Sequence, residues 1–490
     1  MANLKLYNSI SRQIEVFKTL TPHFAGIYIC GPTVYAEPHL GHVRGPVVFD
    51  LLHRLLKYEG YKVRFVRNIT DVGHLLNDAD DGDDKIALKA RLENLEPMEI
   101  AHLYTESYQD MLRNLYVLPA SIEPRASGHI IEQIEMISQL LDLKMAYEIN
   151  GSVYFDVKNY AKDNDYGVLS GRVLDDLIAG AGNEARQLNS QEDKRNAADF
   201  ALWKKASKEH IMQWSSPWGK GFPGWHIECS AMSHKYLGAQ FDIHGGGLDL
   251  LFPHHECEIA QSTSCFGTNP AKYWLHHNMV TINGQKMAKS LNNGITVKAL
   301  FSGIHPLLEK AYQGDVLRFF ILQAHYRSTL DFSNDALQAA EKGLKRLYTT
   351  IDSIANLPIS DADTANFQSS YSDFYNAIFD DMNTPIAIAA LFDIVKKINL
   401  VKEGTLLITK NSQDELAKAV IVMLNDILGL YRSKNENSDN ESELMNVILG
   451  LRESVRSQKN YALSDEIRDS LKNIGYEIKD GKNGAEIIKI

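Results

Sequence analysis

Apolar residues along the chain fall into two rhythms. Ile27–Cys30 is a short unbroken apolar run closed by Gly31-Pro32, which predicts a buried strand and a turn. From Leu40 onward Val43, Val47, Val48, Leu51, Leu52, Leu55 and Leu56 recur at helical spacing until Gly60. Val63, Phe65 and Ile69 then return to strand character. Strand, helix and strand within about 45 residues predict a βαβ unit, and hence part of a parallel sheet. The stretch Asn77 to Lys85, with five Asp in nine residues, predicts a solvated loop, after which amphipathic helices run to about Leu118.

From Pro119 to Pro223 the texture changes. Apolar residues flank Asn150-Gly151, the strongest short hairpin signal. A Gly- and Asn-rich stretch follows at Gly180 to Asn189, then a Trp/Pro/Gly cluster from Trp214 to Trp225, which together predict an insertion packed beside the first sheet. Strand character resumes at Phe241–Ile243, before Gly245-Gly246-Gly247 and a helical pattern from about Leu250. Tyr273–Ile282 predicts another strand, turned at Asn283-Gly284 into Lys286–Ser290. After Val297 the pattern is almost wholly helical to about Arg432, and Ser433–Ser442 reads as a polar linker. Leu463, Ile467, Leu471 and Ile474 mark one more helix, and Tyr476–Ile490 predicts a terminal hairpin.

Composition narrows the class. At ~150 residues per domain, a 490-residue chain suits about three domains. With 44% apolar and 23% charged residues, collagen-like, coiled-coil and wholly disordered chains are excluded. No apolar run approaches the ~18 residues a membrane span needs, and Met1 to Pro22 lacks a signal-peptide core. A cytoplasmic protein with no membrane partner is expected. Cys30, Cys229, Cys257 and Cys265 are too scattered for a disulfide framework, so their thiols are expected to serve as metal ligands, nucleophiles or core. The net charge of −11 provides no general basic footprint, so any grip on a nucleic acid relies on local patches or shape.

Three segments carry candidate chemistry. Pro38-His39-Leu40-Gly41-His42 falls at the predicted start of the first helix, where unsatisfied N–H groups and the helix dipole suit phosphate. His39 and His42, at i and i+3, face the same way, and Gly41 leaves room for a nucleotide close to the backbone. Lys286-Met287-Ala288-Lys289-Ser290 sets two ammonium groups on a loop able to close over a triphosphate. Neither G-x-x-x-x-G-K-[ST] nor a G-x-G-x-x-G after the first strand is present, which argues against a P-loop ATPase or a nicotinamide dehydrogenase. Finally, Cys30, Cys229 and the segment His254-His255-Glu256-Cys257-Glu258 offer thiolate, imidazole and carboxylate, all zinc donors. His254 and Glu258 share a helix face. Without a C-x-x-C pair, Cys257 and His255 stand as rival donors.

The paired motifs resemble those of class I aminoacyl-tRNA synthetases, written His-Ile-Gly-His and Lys-Met-Ser-Lys-Ser; here Leu40 and Ala288 depart from them without removing an imidazole or an ammonium. The sequences around the donors resemble the cysteinyl-tRNA synthetase family, as do Asn68-Ile69-Thr70-Asp71, Asp193-Lys194-Arg195-Asn196, Phe241-Asp242-Ile243-His244 and His325-Tyr326-Arg327-Ser328. That resemblance implies one Zn2+ per chain held by Cys30, Cys229, His254 and Glu258; Cys265 reads as core. It implies ATP contacts from His39, Gly41 and His42, transition-state charge on Lys286 and Lys289, adenosine ribose contacts from Gly246, Gly247 and Asp249, and a cysteine pocket lined by Thr70 and Trp225. The implied reaction activates L-cysteine with Mg2+ and ATP to cysteinyl-adenylate and transfers it to tRNA(Cys), in a monomer.

The fold implied is α/β: a Rossmann-like parallel sheet catalytic domain with an inserted connective domain, followed by α-helical domains and a small C-terminal α+β region. The boundaries expected are 1–118 and 224–297 for the two catalytic halves, 119–223 for the insertion, 298–345 for a stem-contact region, 346–432 for a helical tRNA-binding domain, and 433–490 for the linker and anticodon-binding region. A shorter relative, a cysteine ligase passing the same adenylate to a small amine, resembles the catalytic half but lacks a comparable C-terminus.

Overall fold

The N-terminal hairpin of β1 (Lys5–Asn8) and β2 (Gln13–Val16) precedes β3 (Phe24–Ile29), whose last five residues are all buried. A strand buried on both faces shows no alternation, which is why this one reads as an unbroken apolar run. The chain continues into α1 (Gly41–Tyr58) and β4 (Lys62–Arg67), which pairs parallel to β3 from Phe24↔Lys62 to Ile29↔Arg67. The predicted βαβ unit is present. The structure, a computed structural model, describes residues 3–73, 85–174, 194–207, 210–287, 294–432, 436–474, 476–481 and 484–489, in two units, 1–431 and 432–490. The expected acidic loop (from residue 77 to 84), the Gly/Asn-rich stretch and Lys289 lie outside the described residues.

Helices α2 (Lys85–Glu93), α3 (Pro97–Asn114) and α4 (Ile130–Asp142) lead to the insertion. Its strands β5 (Ala146–Ile149), β6 (Ser152–Phe155), β7 (Phe200–Lys205), β8 (Trp214–Ser216) and β9 (Gly219–Pro223) form an antiparallel sheet in the order β5-β6-β7-β9-β8. Asn150 and Gly151 both take positive φ at the predicted hairpin turn. The insertion has a core of its own, which includes Phe155, Trp203 and Cys257, with Cys265 packed against it.

Beyond it, α5 (Trp225–Leu237), β10 (Phe241–Gly247), α6 (Glu256–Phe266) and β11 (Ala271–His277) complete a four-stranded parallel sheet in the order β11-β10-β3-β4. Two expectations change here. Gly245-Gly246-Gly247 does not follow the strand but continues it, paired with β11 as far as Gly247↔His277. Glycine is required because a Cβ at Gly245 would lie 2.4 Å from the Phe49 ring of α1. Tyr273–Ile282 is two strands rather than one. After β11 the chain breaks at Asn278-Met279 and resumes as β12 (Val280–Ile282), which pairs with β13 (Gln285–Lys286) and with β14 (Leu330–Phe332) in a separate sheet. With three residues, β14 is too short for its alternation to stand out from the helical pattern around it.

Helices α7 (Val297–Ser302), α8 (Gly314–Leu322), α9 (Asn334–Asp352), α10 (Gln368–Phe379), α11 (Thr384–Lys402) and α12 (Lys410–Ile421) follow. Four of them are capped by side chains, Thr296, Ser333, Asn383 and Thr409, which accept bonds from orphan N–H groups of the first turn. One apolar core runs from the catalytic sheet through these helices to Leu430. In the C-terminal unit, α13 (Glu436–Ser457) occupies much of the segment expected as a linker. Its polar, acidic start shows no apolar period, yet acidic residues are favoured at a helix N-terminus by the dipole. Helix α14 (Tyr461–Asn473) and the hairpin of β15 (Tyr476–Gly481) and β16 (Gly484–Lys489) match the expected α+β end. No described helix is long and apolar enough to cross a membrane.

Thirteen of the 18 residues of α1 are buried, Asp50 and Arg54 among them. Asp50 accepts from Arg54 Nε at 2.7 Å and from Arg318 Nη2 at 2.6 Å, with all three side chains nearly inaccessible. Burial works to raise the Asp50 carboxyl, but the two guanidinium groups hold it below its ordinary value. Replacing Asp50 with alanine strands two buried cations and is expected to destabilise the protein by about 3–5 kcal/mol, read as a lower urea midpoint.

Candidate active site

The carboxyl ends of β3 and β10 lie side by side, and Cys30, the first residue past β3, donates its N–H to the Gly245 carbonyl at 3.1 Å. The next residue must be glycine, because a Cβ at Gly31 would fall 1.7 Å from the Asn68 carbonyl oxygen. Cys229 sits in the first turns of α5, whose N-cap is Gly224. His254 and Glu258 come from the turn into α6, with His254 Nε2 3.1 Å from Glu258 Oε1. The two thiol sulfurs are 3.9 Å apart, and Cys30 Sγ is 3.7 Å from Glu258 Oε1. The donor atoms of Cys30, Cys229, His254 and Glu258 all lie within 4.8 Å of one another.

A second set, Cys30, His244, His255 and Glu258, meets the same limit. It shares a thiol and a carboxylate with the first but has one sulfur instead of two. Its histidines also serve other partners: His244 Nε2 lies 2.9 Å from Glu258 Oε2, and His255 Nδ1 lies 2.8 Å from His276 Nε2. The rival Cys257 points away, into the insertion core, 3.6 Å from the Tyr166 hydroxyl. Charge in the cluster favours a cation. Burial opposes ionisation of Cys30, yet the hydrogen bond from Cys229 and nearby His254 bring it to about 7. Against its burial, Glu258 is lowered to about 2 by His244 and His254, while His254 is raised to about 10 by Cys30 and Glu258. One half-buried and one buried thiol, an imidazole and an anionic carboxylate form a donor set that suits zinc.

Trp225 and Thr70 flank this cluster. The indole lies against the His254 ring at 4.4 Å, and buried Thr70 donates its hydroxyl to the buried Glu228. Glu228 is raised well above its ordinary value by burial, so its carboxyl is drawn toward the neutral form.

The His39-Leu40-Gly41-His42 motif leads into the N-terminus of α1. The backbone N–H of His39 donates to His42 Nδ1 and that of Gly41 to His39 Nδ1, both at 3.1 Å. Both rings therefore carry a proton on Nε2 and present it as a donor. Burial, then the neighbouring His39, lowers His42 to about 3, so it stays neutral. The two rings stack at 3.8 Å. A Cβ at Gly41 would lie 2.8 Å from Met287 Cε, so Met287 of the downstream motif lies directly over this turn. Past the loop, Ile295 accepts from the Leu40 N–H at 2.9 Å and Val297 donates to Pro38 at 2.8 Å. Lys286 is exposed at the end of β13. Gly246 and Gly247 lie at the end of β10, with exposed Asp249 folded back so that a Cβ on Gly247 would meet its carboxylate at 2.3 Å.

Sequence reasoning missed the histidines behind the donors. His226 Nδ1 is 2.9 Å from His254 Nδ1, and His276 bridges His255 to the Ser9 hydroxyl at 2.8 Å. The signal was density: seven of the chain's 17 histidines fall between His226 and His277.

Comparison with known proteins gives the family. Residues 16–342 match the class I (C) tRNA synthetase catalytic domain, and residues 373–432 match the DALR domain. The cysteine–tRNA ligase of Porphyromonas gingivalis is 53% identical over 487 residues, covering 99% of this chain and 98% of that protein. That of Bacteroides fragilis is 52% identical over 486 residues with the same coverage. Among solved structures, methionyl-tRNA synthetase of Mycobacterium tuberculosis with methionyl-adenylate superposes with a TM-score of 0.55 at 14% identity, over 82% of this chain and 89% of that one. At that identity the likeness concerns the fold alone. Relatives half identical from end to end, with both domains matched in order, establish that the chain belongs to the cysteine–tRNA ligase family of class I aminoacyl-tRNA synthetases.

Proposed function

We propose that this enzyme activates L-cysteine with ATP and Mg2+, transfers it to tRNA(Cys), and selects it through zinc held by Cys30, Cys229, His254 and Glu258. The observation that carries the reading is the convergence of those four donors, from three distant segments, within 4.8 Å at the edge of the sheet. Bound there, zinc supplies a soft Lewis acid that prefers a thiolate to a hydroxyl. A shape-only pocket separates substrates this similar by only about 1–3 kcal/mol, so the donors bear the discrimination and no hydrolytic editing is needed. Trp225, against His254, and Thr70, against Glu228, wall the pocket.

No side chain need act as nucleophile. The cysteine carboxylate attacks the α-phosphate and pyrophosphate leaves, so the protein's part is positioning and charge stabilisation. His39 and His42 donate Nε2 protons to phosphate oxygens at the N-terminus of α1. Lys286, on the facing hairpin, and above all Lys289 of the same motif supply positive charge, and Gly246, Gly247 and Asp249 receive the ribose. The domain boundaries expected from the sequence belong to this proposal, with the helical segment that matches the DALR model facing tRNA.

Charging total tRNA with each amino acid in turn tests the reading: cysteine alone is expected to be accepted. Failure of tRNA charging alongside cysteine transfer to a small amine would support the shorter ligase instead. Stripping the metal is expected to reduce cysteine-over-serine selectivity to about 10–200-fold, the range of a shape-only pocket. Cys229→Ser is expected to lower zinc content by elemental analysis and raise the cysteine KM at least tenfold. Lys289→Ala is expected to cut cysteine-dependent ATP–pyrophosphate exchange by about 10²–10³; unchanged exchange removes Lys289 from the mechanism.

A further inference from the structure

Two residues beyond His42, Arg44 is 1% exposed. Its guanidinium pairs with no carboxylate among the described residues and instead clasps backbone. Nη1 donates to the carbonyls of Asn278 at 3.1 Å and Met279 at 2.7 Å, and Nη2 to those of His325 at 2.9 Å and Ser328. Burial alone lowers it, to about 10. A lone buried cation is a poor source of stability, and an apolar side chain would fill the space as well. What the planar fork adds is direction, because it fixes two chain segments at set angles to one helix turn.

Those segments bear on the chemistry. Asn278-Met279 is the break from which β12 leads through the turn to Lys286. Residues 325–328 pack against it: the Tyr326 carbonyl accepts the Asn278 N–H at 2.8 Å, and the Arg327 carbonyl accepts the Asn278 side-chain amide at 3.0 Å. The same four-residue turn is held from its other face by Asp381, which accepts from the Tyr326 hydroxyl at 2.6 Å, Arg327 Nε at 2.8 Å and the Tyr7 N–H at 2.8 Å.

We propose that Arg44 is a positioning residue for adenylate formation, setting the distance between the His39–His42 turn and the hairpin that delivers Lys286. It acts through the backbone of Asn278-Met279 and His325–Ser328 and touches no substrate. The proposal rests on the adenylation chemistry argued above and adds the part that aligns its two halves. A displacement of about 1 Å between reacting groups costs about 10²-fold in rate, so a loosened clasp lowers turnover before it lowers binding.

Arg44→Lys keeps the charge and removes the fork. In ATP–pyrophosphate exchange with the zinc-loaded enzyme, kcat is expected to fall about 10–100-fold, with the amino-acid KM within about twofold and zinc content unchanged. A side chain serving stability alone would lower the melting midpoint and leave kcat per folded molecule at the wild-type value, and that result overturns the proposal. Should Arg44→Lys not fold, Asp381→Asn loosens the same turn from the opposite face with Arg44 in place. It is expected to lower kcat at constant amino-acid KM, and a wild-type kcat there overturns the proposal equally. Which amino acid supports exchange reads the functional assignment, whereas the variant-to-wild-type ratio, taken with that amino acid, reads Arg44, so the two fail separately.

Discussion

The parallel pairing of β3 with β10 is the constraint on which the rest depends. Ile27–Ile29 pairs with Ile243–Gly245, and the ladder ends where Cys30 donates to Gly245. This contact joins two halves separated in sequence by the whole insertion. It also sets the depth at which α1 lies on the sheet, because Gly245 leaves space for the Phe49 ring. Cys30 therefore occupies the point where the strand ends, the helix that follows the His39–His42 turn and the segment supplying His254 and Glu258 converge. A ligand seated at the carboxyl edge of such a sheet meets all three at once.

Burial divides the histidines around that point into two electrostatic groups. His276 is lowered to about 3, chiefly by burial, and burial followed by neighbouring His244 holds His255 well below its ordinary value. These rings stay neutral and serve as hydrogen-bonded packing. His244 and His254 touch Glu258 and are raised despite their burial. The carboxylate is thus supported from two sides, and Glu258 Oε2 is already engaged with His244 while Oε1 faces His254 and Cys30. Outer partners of this kind orient a donor before any ion arrives and keep its geometry when one does.

The βαβ unit, the Asn150-Gly151 hairpin and the helical C-terminal half were legible in the sequence because each rests on local pattern: burial, turn chemistry and helical period. What was not legible depends on distant partners. Nothing in Tyr273–Ile282 announces that the chain must break at Asn278 to reach β14, since the partners lie near residue 326. The donors themselves were visible as residue types, and family resemblance selected among them. Their packing was not visible: that Cys257 faces Tyr166 rather than Cys30 depends on α6 lying between the sheet and the insertion core. Nor does sequence period distinguish His255, which turns toward the donors beside Cys30, from a ring turned to the surface.

Helix α1 gathers these constraints into one element. The turn into it presents His39 and His42, Arg44 clasps the strand break and the turn before β14, and Asp50 pairs with both Arg54 and Arg318. Arg54 also donates to the Asn425 carbonyl at 3.0 Å and the Tyr431 hydroxyl at 3.1 Å, at the far end of the helical segment. An apolar helix would bury as much surface, with sliding and rotation limited only by shape. Charged groups spaced along a buried helix each require a particular set of oxygens, and a shift along the axis would leave several of them unpaired at once. Their contribution is therefore to register rather than to net stability. Register matters where distant segments must meet, as the His39–His42 turn and Met287 do here.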